Sequence, residues 1–289
     1  VIYTESPGNS AEDIEKLITY PIESAMAGMA GVKTIMSNSI FGLSYVSVFF
    51  EDNMDIYFLR QLVNERLSTV DIPESWGKPT LGPNTTGLGQ VFWYQLYDKT
   101  SKYSLKELRE MQEYLVTPLF KSVKGVEDVI GWGGDEKQYN ILVDSKKLQN
   151  VNITYNDIVI ALQKSNQVAG GQYLEFNKEQ YLIRGVGLYK SIEDIKKTVI
   201  KSENSQAITI EDIGSVEESS KPRFGAVSIN GNESVIGMIL QRSQTNAAEV
   251  VSKIKEKVQT VNSVLPQGVE IRPMYDRTEL TLKAVDTMS

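Results

Sequence analysis

The chain has 289 residues, 41% hydrophobic and 23% charged, a balance typical of globular domains and long enough for two or three modest cores. Its formal charge of -7 argues against a surface built to neutralise nucleic-acid phosphates. With no cysteine there is no disulfide or thiolate chemistry, and with no histidine any metal has to use carboxylate, amide, carbonyl or thioether ligands.

Val1-Ile-Tyr-Thr opens a strand over 1–6 with no charged leader or cleavage site ahead of it, so the chain reads as an excised piece. Ser10-Ala-Glu-Asp13 then places a hydroxyl at a helix N-cap and a carboxylate three residues on, where the helix dipole favours it. Behind that cap Ile14, Leu17, Ile18, Ile22, Ala25 and Met26 recur at helical spacing and predict a helix over 10–28. Strands over 31–40 and 43–51 follow. In Leu43-Ser-Tyr-Val-Ser-Val-Phe-Phe apolar and polar residues alternate, as in a strand with one core-facing side. A helix over 55–70 and a strand over 76–81 complete a β-α-β-β-α-β order, the split βαβ or ferredoxin-like sandwich.

The script then repeats. A strand over 90–97 leads to a helix over 104–122, capped by Ser104-Leu-Lys-Glu107 and carrying Leu105, Leu108, Leu115 and Leu119 on one face, and to strands over 126–133 and 136–144. Both copies have a late helix proline (Pro21, Pro118) and a Gly-Val pair (Gly31-Val32, Gly125-Val126). Both also place a turn glycine ten positions before an aspartate closing the next strand: Gly42 to Asp52, Gly134 to Asp144. The second copy's closing helix, begun by Asn246-Ala-Ala-Glu249, comes only at 246–263, before Leu265-Pro-Gln-Gly268 and a strand over 269–274. Residues 146–222 are therefore an insertion, with further caps at Thr154-Tyr-Asn-Asp157 and Ser191-Ile-Glu-Asp194 and with balanced charge. A hairpin across Asn230-Gly231, joining Phe224–Asn230 to Glu233–Arg242, returns the chain. The longest wholly apolar run, Val235 to Leu240, falls far short of the roughly 18 residues that suggest a membrane span. The fold class is α+β: two ferredoxin-like βαββαβ subdomains, the second interrupted by an inserted α+β subdomain.

Several runs, in order along the chain, resemble the first large periplasmic loop of the heavy-metal efflux branch of the resistance-nodulation-division (RND) transporters. They are Ser6-Pro-Gly-Asn-Ser-Ala-Glu-Asp-Ile-Glu, Thr19-Tyr-Pro-Ile-Glu, Gly42-Leu-Ser-Tyr-Val, Asp55-Ile-Tyr, Arg60-Gln-Leu-Val, Leu81-Gly-Pro-Asn-Thr-Thr-Gly-Leu-Gly, Ser165-Asn-Gln-Val-Ala-Gly-Gly and Tyr275-Asp-Arg-Thr-Glu-Leu. The resemblance implies two porter subdomains, 1–89 and 90–145 with 223–275. It makes 146–222 an inserted docking subdomain and 276–289 the approach to a second transmembrane helix. It also implies a proton-driven homotrimer with a periplasmic adaptor (membrane fusion) protein, an outer-membrane channel protein and a metal cation as substrate. Neither enzyme activity, a cofactor nor a nucleic-acid partner is expected. The chain would be a periplasmic loop of a Gram-negative inner-membrane protein, flanked by apolar runs of about 20 residues.

In such pumps the substrate crosses a cleft lined in part by strands of the second porter subdomain, and the positions that map there are Gln90, Phe92, Glu127, Asp128 and Trp132. Carboxylate and amide oxygens suit a divalent cation, but relatives of the metal branch often have an acidic residue where this chain has Gln90. Glu127 and Asp128 otherwise read as a pair on alternate faces of a strand, and for Phe92 and Trp132 core packing outweighs ligand contact. Helix 55–70, with Tyr57, Arg60, Asn64 and Arg66 among its polar faces, resembles the helix that lines the trimer's central pore; its plain alternative is a solvated amphipathic helix. Met26, Met29 and Met36 could suit soft monovalent ions, but the i, i+3 spacing of the first two reads as core. No complete metal site is expected in this chain. Two other functions stay open: a multidrug-type RND pump for amphipathic organic molecules, using Phe92, Trp93 and Trp132, and a stand-alone periplasmic binding or scaffold module.

Overall fold

Helices begin where the sequence sets a capping side chain. In the computed structural model, which describes residues 1–86, 88–169, 173–176, 179–182, 185–186, 188–203, 206–223 and 225–279, Ser10 Oγ accepts from the Asp13 amide at 3.2 Å. Asp55 accepts from the Tyr57 and Phe58 amides, and Asn246 from those of Ala248 and Glu249. Ser104 with Glu107, Thr154 with Asp157 and Ser191 with Asp194 form full capping boxes. Gly170, Gly171, Phe224 and residues 280–289, which the sequence places in a motif, a hairpin and the terminal approach segment, lie outside the described residues. Among the described residues no helix is long and apolar enough to cross a membrane. The chain divides into two compact units, Val1–Thr86 and Gly87–Ser289.

The first unit runs β1 (Ile2–Glu5), a helix in three pieces (Ala11–Ile14, Glu15–Thr19, Tyr20–Met26), β2 (Val32–Ile40), β3 (Leu43–Phe50), the helix Ile56–Leu67 and β4 (Thr80–Leu81). The sheet is antiparallel in the order β2-β3-β1-β4, the ferredoxin-like arrangement. Fully buried Ile14, Ile18, Ile22 and Met26 pack from the first helix onto Ile2 and Val46. The last strand is shorter than the predicted 76–81. Glu74–Trp76 is a 3-10 turn, and Pro79 has no N–H for a ladder, so pairing starts after it.

The second unit repeats this plan with β5 (Gln90–Asp98), a helix in three pieces (Leu105–Met111, Gln112–Val116, Thr117–Lys121) and β6 (Val126–Trp132). The middle pieces of both first helices, Glu15–Thr19 and Gln112–Val116, are π turns that end two residues before Pro21 and Pro118. A proline gives no N–H to the carbonyl one turn earlier and its ring crowds that carbonyl; a π turn widens the helix at that point.

After β6 the two copies part. The spacing predicts that the strand following Gly134 continues the sheet; instead β7 (Lys137–Val143) leaves it. The chain then forms β8 (Val168–Ala169), β9 (Tyr173–Phe176), β10 (Glu179–Leu182), β11 (Gly185–Val186), β12 (Val199–Glu203), β13 (Gln206–Thr209) and β14 (Gly214–Ser220). Next come β15 (Ser228–Ile229), β16 (Asn232–Glu233), β17 (Val235–Gln241), the helix Ala247–Val264 and β18 (Val269–Asp276). β7 pairs with β14, and β17 takes the expected place in the sheet order β18-β5-β17-β6. A strand between two neighbours, packed on both faces, has to be apolar throughout; Val235–Leu240 is, while Lys137-Gln-Tyr-Asn is not. Gly133 lets the chain turn out: its φ is 76°, and a Cβ there would lie 2.1 Å from the Ser234 carbonyl oxygen.

The true equivalence is with the returning strand. The Arg242 amide donates to the Gly125 carbonyl at 2.8 Å just as the Glu51 amide donates to Gly31 at 2.8 Å, and four residues later each copy caps its second helix, with Asp55 or Asn246. Asp144 is no counterpart of Asp52; it caps the helix Ser145–Asn150. Between β7 and β14 a separate core forms from Leu148, Ile153, Ile158, Ile195, Ile210 and Ile213. The hairpin across Asn230-Gly231 is present but short, pairing β15 with β16, with φ positive at both turn residues.

Candidate functional site

Of the five predicted cleft residues, Gln90, Asp128 and Trp132 lie on the face of the second sheet that points away from its helices, with Glu127 at its rim. Three bulges, at Glu127, Val91 and Met274, set which side chains reach that face. In β6 Val126 faces Gln241 and Asp128 faces Leu240, so Glu127 is the extra residue, as Lys33 is in β2 of the first unit. Val126 and Val129 therefore both reach the core, and Glu127 and Asp128 both stay off it. The alternate-face reading of these two carboxylates is overturned by that bulge. They do not converge on a shared centre: Glu127 accepts from Arg242 Nε at 2.9 Å, and Asp128 pairs with Lys121 Nζ at 2.7 Å.

The second bulge is at Val91, because Gln90 faces Leu240 while Phe92 faces Ile239. It turns both Val91 and Phe92 inward, and both are fully buried. Phe92 packs 6.4 Å from the Tyr94 ring and offers no surface to a ligand, so as a cleft residue it is corrected to core. Gln90 is exposed on the outer face. Gln90 and Asp128 flank Leu240 from opposite sides, two strand spacings or about 10 Å apart. Trp132 corrects the other way. It is 53% exposed at the end of β6, opposite Ile236, because the chain leaves the sheet at the next residue.

Between these positions lies a row of which the sequence singled out only Trp93: Ile130, Met238, Trp93 and Tyr275, neighbours across four strands. Trp93 meets Tyr275 edge-on at 6.2 Å, and its indole N–H is buried without an acceptor among the described residues. Alternation could have found the row only with the bulges already known, including the one at Met274, since Pro273 faces Tyr94 and Tyr275 faces Trp93. At the same end of the sheet as Gln90, Asp276 is buried; desolvation pushes its carboxyl up, but Lys255 and Thr278 outweigh that and hold it below the usual range.

In the first unit the helix Ile56–Leu67 buries Leu59 and Val63, while Tyr57, Asn64 and Arg66 are exposed. Arg60 is turned back, donating from Nη1 to the Gly82 carbonyl at 2.8 Å. Met26 and Met29 are core, and Met36 is exposed on β2. Among the described residues no three His, Cys, Asp or Glu side chains come together as a metal site.

The split ferredoxin-like pair with an inserted subdomain coincides with a family match along the whole chain: residues 1–289 belong to the AcrB/AcrD/AcrF family. Among curated relatives, the chain is 37% identical over 296 residues to the cobalt-zinc-cadmium resistance protein CzcA of Cupriavidus metallidurans, covering 99% of this chain and 28% of that protein. It is 35% identical over 292 residues to the cation efflux system protein CusA of Escherichia coli, covering 100% and 28%. A crystal structure of a heavy metal efflux pump superposes with a TM-score of 0.87 at 32% identity, over 99% of this chain and 29% of that one. The chain thus spans less than a third of the length of the relatives it matches, and the resemblance to the heavy-metal efflux branch of the RND transporters is borne out.

Proposed function

We propose that this chain is the periplasmic porter and docking portion of a proton-driven RND pump that exports metal cations across the cell envelope. The observation that carries the reading is similarity along the whole chain to proteins named for cation efflux and metal resistance. In this reading the chain is a periplasmic loop of a Gram-negative inner-membrane protein that works as a homotrimer with a periplasmic adaptor and an outer-membrane channel. It contributes shape and contacts rather than catalysis. Residues 1–89 form one porter subdomain, and β5, β6, β17 and β18 with their helices form the second. The docking part then takes in everything between Trp132 and Val235, wider than residues 146–222, and 276–289 leads toward the membrane.

Gln90, Asp128 and Trp132 face the transport route on the second sheet, with Glu127 at its rim. Tyr57 and Asn64 are the pore-facing positions of the helix Ile56–Leu67. With each carboxylate already engaged by a cation, this face supplies transient oxygen contacts to a passing ion rather than a resident site. One observation favours a second reading, an amphipathic organic cargo: the exposed Trp132 beside the row Ile130, Met238 and Trp93. A tolerance panel of zinc, cobalt, nickel, copper and silver in cells lacking the parent gene decides between them. Lost metal tolerance is the expected result; unchanged tolerance to all five with new sensitivity to dyes or detergents replaces the first reading with the second.

A further inference from the structure

The subdomain between β7 and β14 is joined to the second sheet through those two strands, which pair over seven residues with no third strand beside them among the described residues. A two-stranded ladder is compliant by itself. It leaves from the Trp132–Val235 end of the sheet. At the opposite end of the sheet the Gln241 amide donates to the Gly89 carbonyl at 2.8 Å and Arg277 donates to the Leu88 carbonyl.

Four side chains join the ladder to the helix that starts at Leu105. Lys106 Nζ meets Glu218 Oε1 at 2.9 Å, Lys137 Nζ meets Glu218 Oε2 at 3.0 Å, and the same Lys137 Nζ reaches Glu110 Oε1 at 3.4 Å. Lys106 and Glu110 project from one side of the helix, Lys137 from β7 and Glu218 from β14, and all four line the groove between helix and ladder. Each is about a third exposed, with 37% for Glu218 the highest. An isolated surface pair contributes little, but a partly buried network that shares its central carboxylate and its central ammonium resists screening better. The neighbouring pairs have another job: Lys221 with Glu136, and Arg223 with Asp135 and Glu233, join neck segments to one another and do not reach the helix.

We propose that Lys106, Glu218, Lys137 and Glu110 form an ionic latch that locks the inserted subdomain to the second ferredoxin-like sheet, with the β7–β14 ladder as the hinge that opening the latch releases. Motion applied at the Gln90–Asp276 end of the sheet then reaches the insert only while the latch is closed. The proposal goes beyond the transport reading and holds for either cargo.

The test uses the whole chain. It has no native cysteine, so Lys164→Cys on the helix Tyr155–Ser165 and Glu256→Cys on the helix Ala247–Val264 place two unique spin labels. Double electron–electron resonance is expected to give a narrow distance distribution at low salt. Glu218→Lys should widen it about twofold by populating open states. Inverting all four signs, in K106E/E110K/K137E/E218K, should restore the original width. An unchanged width in folded Glu218→Lys, or an inverted variant as broad as Glu218→Lys, overturns the latch. Should Glu218→Lys fail to fold, a salt series on the chain with its native latch decides. Widening toward about 1 M salt, where the screening length is about 3 Å, supports the latch, and a width independent of salt overturns it.

Discussion

Tyr94 fills the second core because the residue facing it on β17 is glycine. A Cβ on Gly237 would lie 2.1 Å from Tyr94 Cζ, and the phenol oxygen accepts from buried Gln112 Nε2 at 2.9 Å, so the ring cannot swing aside without breaking a buried hydrogen bond. Gly237→Ala is expected to destabilise the chain by about 1–3 kcal/mol, measured by urea unfolding. Asp98 offers a second test at this scale. Desolvation raises its pKa, but the Thr100 hydroxyl and the amides of Tyr103, Thr100 and Lys102 outweigh that and hold it at about 2. A folded pKa below the unfolded value of about 3.9 stabilises fully above that value and is lost as pH falls toward 2. The gap in Tm between the native chain and Asp98→Asn should therefore be widest near neutrality and narrow between about pH 4 and pH 2. A gap that does not change with pH would remove those hydrogen bonds from the stability of this turn.

Elements begin where local chemistry directs and end where tertiary packing allows. The helix starting at Leu105 depends on Ser104, whose hydroxyl accepts from the Glu107 amide at 3.2 Å while Glu107 Oε2 accepts from the Ser104 amide at 2.8 Å. Ser104→Ala should cost about 1 kcal/mol and speed amide exchange in the first helical turn, leaving exchange in Thr117–Lys121 unchanged. Such caps were legible because they need only four consecutive residues. The π turns were half legible: Pro21 and Pro118 mark a disturbance, but a proline alone does not say whether the helix kinks, breaks or widens. The bulges at Val91 and Glu127 were not legible at all, since each exists only relative to the partner strand.

At the scale of the molecule, the second unit is a ferredoxin-like domain cut open between its second and third strands. Matching the Gly31–Glu51 and Gly125–Arg242 hydrogen bonds aligns Gly134 with Ile40 and Ser234 with Leu43, where the first unit needs only Phe41-Gly42. Replacing residues 135–233 by Asn-Gly should therefore yield a domain that unfolds cooperatively with ferredoxin-like secondary structure by circular dichroism. Absence of a cooperative transition would mean that the sheet requires its insert. Composition, caps and periodicity by themselves determined the class of fold, the doubled plan and the presence of an insert, because these follow from side-chain chemistry within one turn or one strand. Which strand fills the third place in the second sheet, which carboxylates are engaged, and whether Phe92 or Trp132 meets solvent were decided only by tertiary structure. Strand partners and burial depend on residues a hundred positions away: Gly134 and Asp144 keep the spacing of Gly42 and Asp52, yet β17, apolar on both faces over Val235–Leu240, takes the place in the sheet.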